Sequence, residues 1–238
     1  MTDELFREDA SLRECRAAVL GLDEGGVILD RTVFYPLGGG QAGDAGRLTL
    51  ADGTVVDISD TRKSKERPGA VLHLPAPGTD LSQLAPGTLL MAQIDWQRRH
   101  RHMRFHTATH LLCALVPHPV DGCSITAGYA RLDFHMSEPL DKESLTAGIT
   151  RLVAGAHAVR HRWISEAELD ANPGLVRSMS VQPPRGLGRV RVLEIEGVDL
   201  QPCGGTHVAN TAEIGAVIVT KIEKKSAMTR RVVLGFAA

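Results

Sequence analysis

The sequence predicts an α+β protein in two parts. A small glycine-rich β-barrel-like domain is expected over residues 1–95, and an α+β domain over 96–238 with helices packed on a largely antiparallel sheet. Three observations lead there. Short alternating apolar runs punctuated by turn residues fill the first 95 positions, a helical pattern starts abruptly after Asp95, and strand patterns return once that helix ends.

In chain order, "CRAAVLGL" and "GVILDRTVFY" flank "DEGG", and "RLTL" and "TVVDIS" flank "ADG", so both pairs read as hairpins. "AVLHL" and "TLLMAQID" add two short strands around a Pro/Gly-rich connection, a spacing that suits a small barrel or curled sheet. The exception is "YPLGGGQAGDAG" (35–46), whose five glycines rule out a strand interior and point to a tight turn or a close backbone approach. Asp95 is placed to cap a helix running to about Leu115 and stopping before Pro117. "ITAGYARLDFHM" then reads as a strand or hairpin, and "DKESLTAGITRLVAGAHAV" as an amphipathic helix capped by Asp141. "HRWIS", "RVRVLEIEG", "IGAVIVTKIE" and "RRVVLGF" read as strands, with a loop at "VQPPRGLG".

Composition narrows the function classes. Hydrophobic residues at 43% and charged residues at 23% are ordinary for a folded domain, and aromatics at 4% imply aliphatic cores. No run approaches the roughly 18 apolar residues of a membrane span, and the first residues are charged, so a cytoplasmic, membrane-free protein is expected. Cys15, Cys113, Cys123 and Cys203 are too irregularly spaced for a disulfide framework. A net charge of −1 leaves nucleic-acid contact to local patches. Two exist: Arg98, Arg99, Arg101 and Arg104 at the start of the helix, and Lys221, Lys224, Lys225, Arg230 and Arg231 near the C-terminus. Taken alone, either patch is better explained as a solvated charged face.

The chemistry concentrates in two short motifs. "HTATH" places His106 and His110 one helical turn apart, on one face. "CGGTH" places Cys203 and His207 around two glycines and Thr206. Alone, the first is an ordinary polar helix face and the second an ordinary glycine turn. Together they supply three imidazoles and a thiolate, a mixed N/S set that suits one zinc ion in a tetrahedron. Thr107 stands where an HExxH metalloprotease needs glutamate, which argues against peptide hydrolysis by that route.

"HTATHLL", "CGGTH" preceded by "EGVDLQP", and "FYPLGGGQAGDAG" in this order resemble the editing domain shared by alanyl-tRNA synthetases and the free-standing AlaX editing proteins. The resemblance runs from about residue 25 to the C-terminus. The chain has no room for an aminoacylation domain, so it resembles the free-standing type, without the additional C-terminal domain of longer members. Synthetases often carry serine where Gly38 stands, a small departure. The resemblance implies a Zn2+-dependent hydrolase, one ion per chain, that removes serine or glycine from mischarged tRNA(Ala) in trans, with no obligate protein partner.

His106, His110, Cys203 and His207 are then the expected metal ligands. Thr32, matching a threonine that senses a serine hydroxyl, and Gln41, placed to meet the ester carbonyl or the terminal adenosine, are the expected catalytic residues. Gly38, Gly39, Gly40 and Thr206 are expected to bind substrate, and Arg98, Arg99, Arg101 and Arg104 to hold tRNA phosphates. Four protein ligands close a zinc shell that catalysis usually leaves open, so a non-catalytic zinc-stabilised tRNA-binding module stands as the alternative. A zinc hydrolase of small esters or amides is a third reading, which leaves the arginines without a role.

Overall fold

The structure, a computed structural model, describes residues 1–237 apart from 181, 184 and 187. The loop expected at 181–188 therefore falls partly outside the described residues. Two compact units divide the chain: Met1–Gly38 with Ala42–His100, and Gly39–Gln41 with Arg101–Ala238. The division lies inside the long helix rather than at its cap, and three residues of the glycine-rich loop belong to the second unit.

The first unit contains β1 (Asp3–Glu4), β2 (Glu14–Asp23), β3 (Gly26–Leu29), β4 (Arg31–Thr32), β5 (Gly46–Leu50), β6 (Val55–Lys63), β7 (Val71–Pro75) and β8 (Leu89–Ile94). Six of these close an antiparallel barrel in the order β2-β3-β7-β6-β5-β8. Closure removes the free edges that so many short strands would otherwise expose. Val19, Leu29, Phe34, Leu48, Ile58, Leu90 and Ile94 fill the interior, the inward half of each alternating run. The parallel pair β1-β4 lies outside the barrel and is too short to show as a sequence pattern.

Arg99 is the largest fully buried side chain of this unit. Its Nε donates to Asp44 Oδ2 at 2.9 Å, its Nη2 to the same oxygen and to the Val33 carbonyl, and its Nη1 to the Ala10 carbonyl at 3.0 Å. Asp44 also accepts from the Tyr35 amide at 2.7 Å. This corrects the expectation that Arg99 meets phosphate. Its charge is spent pinning the glycine-rich loop, and removing either partner should cost roughly 3–5 kcal/mol.

The long helix α1 (Trp96–Leu115) begins at Asp95, whose side chain accepts from the Arg98 amide at 3.0 Å. From Phe105 to Leu112 every residue is buried, so this stretch of α1 is a central helix rather than a surface one. Around it the second unit places β9 (Val120–Ile125), β10 (Ala130–His135), α2 (Lys142–Ala154), β11 (Val159–Ser165), α3 (Glu166–Ala171), β12 (Arg189–Ile195), β13 (Asp199–Pro202), β14 (Val217–Ser226) and β15 (Thr229–Phe236). They form two antiparallel sheets, β14-β15-β10-β9 and β11-β12-β13. Asp141 caps α2 through the Ser144 amide, and α2 packs on β14. The α+β class with antiparallel sheets is as the sequence predicts.

Candidate metal centre

Two elements of the second unit carry the four donors. His106 and His110 project from the buried part of α1, while the antiparallel register that sets Pro202 opposite Val192 delivers Cys203 and His207 from the end of β13. The four potential ligand atoms lie within 4.8 Å of one another. Cys203 Sγ is 3.2 Å from His207 Nε2 and 3.5 Å from His106 Nε2. The turn that makes this possible admits no side chain at Gly205, where a Cβ would stand 2.2 Å from His106 Cε1. Arg191 holds the same turn from outside, its Nη1 donating to the carbonyls of Cys203 and Gly205 at 2.9 and 3.1 Å.

Hydrogen bonding around the cluster fixes all three ring tautomers. Gln41 Oε1 accepts from the Thr206 amide at 3.1 Å; a backbone N–H can only donate, so this atom is the oxygen. His106 Nδ1, 2.7 Å from that oxygen, must carry a proton. His110 Nδ1 donates to Asp199 Oδ2 at 2.9 Å. Thr107 Oγ1 spends its hydrogen on the Met103 carbonyl at 2.9 Å, so it can only accept from His207 Nδ1 at 3.3 Å. Each Nδ1 is thereby protonated and each Nε2 is left as a potential donor to a metal. Metal-binding histidines are oriented in this way by outer partners.

The electrostatics agree. Burial alone raises the Cys203 thiol, but the facing His106 and His207 rings hold it well below its usual range, favouring thiolate. Burial and the neighbouring His106 lower His207 to about 3. For His110 burial pulls downward, yet the hydrogen bonds with Asp199 and Cys203 prevail and raise it to about 10. A divalent cation entering the cluster thus meets a ready thiolate. Three inward Nε2 atoms, one thiolate and a satisfied outer layer are a donor set that fits zinc.

The remaining expected site residues divide. Gln41 is fully buried, and its Nε2 donates to Thr206 Oγ1 at 2.9 Å, so it joins His106 to the "CGGTH" turn. Both ends of its amide are bonded within the cluster, to Thr206 and His106. Gly39 and Gly40 have φ of 57° and 83°, and a Cβ on Gly40 would come 2.9 Å from Cys123; the close backbone approach expected of the glycines is made to β9. Gly38 accepts from the Tyr35 hydroxyl at 2.7 Å within the first unit. Thr32 is also fully buried in that unit, its hydroxyl 2.7 Å from His73 Nε2 and accepting from the Phe34 amide at 3.0 Å. With its proton on His73 and one lone pair taken by the Phe34 amide, the hydroxyl keeps one acceptor lone pair. Arg98 donates to the Gly43 carbonyl, Arg101 Nε to the Ala127 carbonyl and Arg104 Nε to the Ile214 carbonyl. In the C-terminal patch Arg231 is paired with Asp133 and Lys221 with Glu223, while Lys224 and Lys225 are exposed.

Asp199 and Arg191 are neighbours of the cluster that sequence reasoning did not single out, and Thr107 stood there only as the residue in place of the HExxH glutamate. Asp199 lies inside the quoted "EGVDLQP", and an acid four residues before a ligand cysteine was the available signal.

Family models relate this barrel, α+β unit and internal His3Cys cluster to the tRNA synthetases. The threonyl and alanyl tRNA synthetase second additional domain matches residues 190–233, which include β12, β13 and the "CGGTH" turn, and class II (A) tRNA synthetases match residues 8–98. The alanyl-tRNA editing protein AlaX-M of Methanosarcina acetivorans is 32% identical over 243 residues, covering 97% of both chains. That of Saccharolobus solfataricus is 31% identical over 98% of both. The alanine–tRNA ligase of Pyrococcus furiosus is 34% identical over 94% of this chain and 24% of its own length. The chain belongs to the AlaX-M family of alanyl-tRNA editing proteins. Among the described residues no helix is long and apolar enough to cross a membrane.

Proposed function

We propose that this protein is a zinc-dependent aminoacyl-tRNA deacylase that clears serine, and glycine, from mischarged tRNA(Ala) in the cytoplasm, acting in trans. The observation that carries the reading is the His106–His110–Cys203–His207 cluster, with every Nε2 turned inward, in a chain that matches alanyl-tRNA editing proteins end to end. A zinc ion held by these four residues supplies positive charge for the ester carbonyl and the developing oxyanion. The chain's own part is to keep that position fixed. Gln41 and Thr206 hold His106 against the turn, Asp199 holds His110, and Thr107 holds His207. Burial of the cluster excludes bulk water and strengthens each interaction. Thr32 remains a proposed determinant of serine selectivity through its last lone pair, and Arg101 and Arg104 are proposed phosphate contacts.

The complete donor set also favours the second reading, a zinc-stabilised tRNA-binding module without turnover. One assay separates them: release of serine, glycine and alanine from charged tRNA(Ala), with and without a chelator. Rapid loss of serine with alanine retained, abolished by chelation, is the expected result. Zinc-loaded protein that deacylates none of the three overturns the enzyme reading in favour of the module.

A further inference from the structure

The second unit carries an exposed aromatic residue that the metal centre does not use. Tyr129 closes the β9–β10 turn, is 43% exposed, and its hydroxyl makes no hydrogen bond among the described residues. The backbone beneath it is held firmly. The Thr126 amide and Oγ1 donate to the Tyr129 carbonyl at 2.9 and 3.0 Å, and the amides of Gly128 and Tyr129 donate back to Thr126 Oγ1 at 3.2 and 3.1 Å. An exposed tyrosine ring on so ordered a turn contributes nothing to the core; taken singly it is ordinary surface, and its meaning rests on its neighbours.

Its neighbours indicate which ligand. On one side, Ile125 at the base of the turn donates to the Gly40 carbonyl at 2.8 Å and bridges Gln41, the residue that holds His106. On the other, the register that sets Ala130 opposite Leu234 carries the turn to the end of the sheet where Phe236 lies. Arg101 and Arg104 stand 4.6 and 4.0 Å from the Phe236 ring centroid, and Arg101 Nε donates to the Ala127 carbonyl of the same turn. Each guanidinium donates only through Nε, so among the described residues all four terminal nitrogens are uncommitted and neither arginine meets a carboxylate. Two unneutralised guanidinium groups over Phe236, one of them bonded to the turn that carries the exposed Tyr129, and that turn joined by backbone to Gly40 and Gln41, match a single-stranded RNA end: bases stack on aromatics while arginines take phosphates.

We propose that Tyr129 is the stacking platform for an unpaired base at the 3′ end of the substrate RNA, with Arg101 and Arg104 holding the adjoining phosphates. This rests on the deacylase reading for its substrate but is tested independently of turnover. The probe is a short uncharged RNA hairpin with a single-stranded CCA end, titrated by fluorescence anisotropy at fixed salt against zinc-loaded protein. Tyr129→Ala is expected to weaken binding by about 10-fold or more while Tyr129→Phe stays near the unaltered protein, with zinc content the same in all three. Equal affinity of Tyr129→Ala and the unaltered protein overturns the platform, as does an equal loss in Tyr129→Phe. Deacylation kinetics keep the two claims apart. Active protein whose KM for Ser-tRNA(Ala) is indifferent to Tyr129→Ala sinks the platform and leaves the deacylase; inactive protein that binds the hairpin through Tyr129 does the reverse.

Discussion

At the scale of single residues, Thr32 and His73 form one hydrogen-bonded chain inside the barrel unit. His73 Nδ1 lies 2.9 Å from the Val27 carbonyl and therefore donates, so its Nε2 accepts the Thr32 hydroxyl proton, and Thr32 in turn accepts from the Phe34 amide. Burial lowers the His73 pKa to about 4. Between pH 4 and the unfolded value near 6.5 the unfolded chain binds the extra proton, so stability is fully present above pH 6.5 and drains away as pH falls through about 4. Some 2.5 units amount to ~3 kcal/mol. Urea unfolding at pH 7 and pH 4.5 should show this loss, and His73→Gln should lack that part of the slope; identical slopes in both proteins count against it. Thr32→Val strands both a buried ring nitrogen and a buried amide and should cost about 1–3 kcal/mol even at pH 7, whereas Thr32→Ser should cost far less. Neither fact was legible in the sequence. Thr32 reads as a β-branched strand residue and His73 as an isolated histidine, because their partnership spans 41 positions.

At the scale of elements, what was readable follows the range of the interaction that makes each one. Asp95 and Asp141 cap their helices through amides three residues on, so both starts could be seen. Strand β13 could not: four residues ending in Pro202 are held by pairing with β12, not by their own pattern. The helical spacing of His106 and His110 showed a shared face, but nothing local told that this face is interior. Arg99 misled for the same reason, since a run of arginines reads as solvated until Asp44, 55 positions away, neutralises one of them. Strand β13 carries the element-scale prediction. Asp199, also bonded to Gln201 Nε2, fixes the ring of His110 from β13. Asp199→Asn should lower zinc affinity by roughly 10- to 100-fold, measured by competition with a chromophoric chelator. Unchanged affinity with an intact fold would show that His110 does not depend on it.

For the whole molecule, the sequence shows two patterns meeting at Asp95, and the chain divides into two compact units within α1, with Gly39–Gln41 in the second. Turn chemistry and alternation revealed the barrel strands one by one but left a barrel and a curled sheet open; the pairing of β8 with both β2 and β5, between stretches far apart in the chain, is what closes it. Gly39–Gln41 went to the second unit because Gly40 packs against Cys123 and Gln41 bonds to His106 and Thr206, contacts that composition cannot carry. This makes the candidate metal centre a junction of three distant stretches of sequence: 39–41, 103–110 and 199–208. A ligand that binds only the folded arrangement stabilises it by mass action, about 2.7 kcal/mol at one hundred times Kd. Zinc should therefore slow amide exchange in those three stretches together, with Thr206 and Val208 among the amides most affected, since each already donates to a residue that orients a ligand, Gln41 and Thr107 respectively. Hydrogen exchange read by mass spectrometry with zinc and with chelator measures this directly. Protection confined to 199–208 would mean that the ion is held by the "CGGTH" turn alone and that the α1 histidines are bystanders.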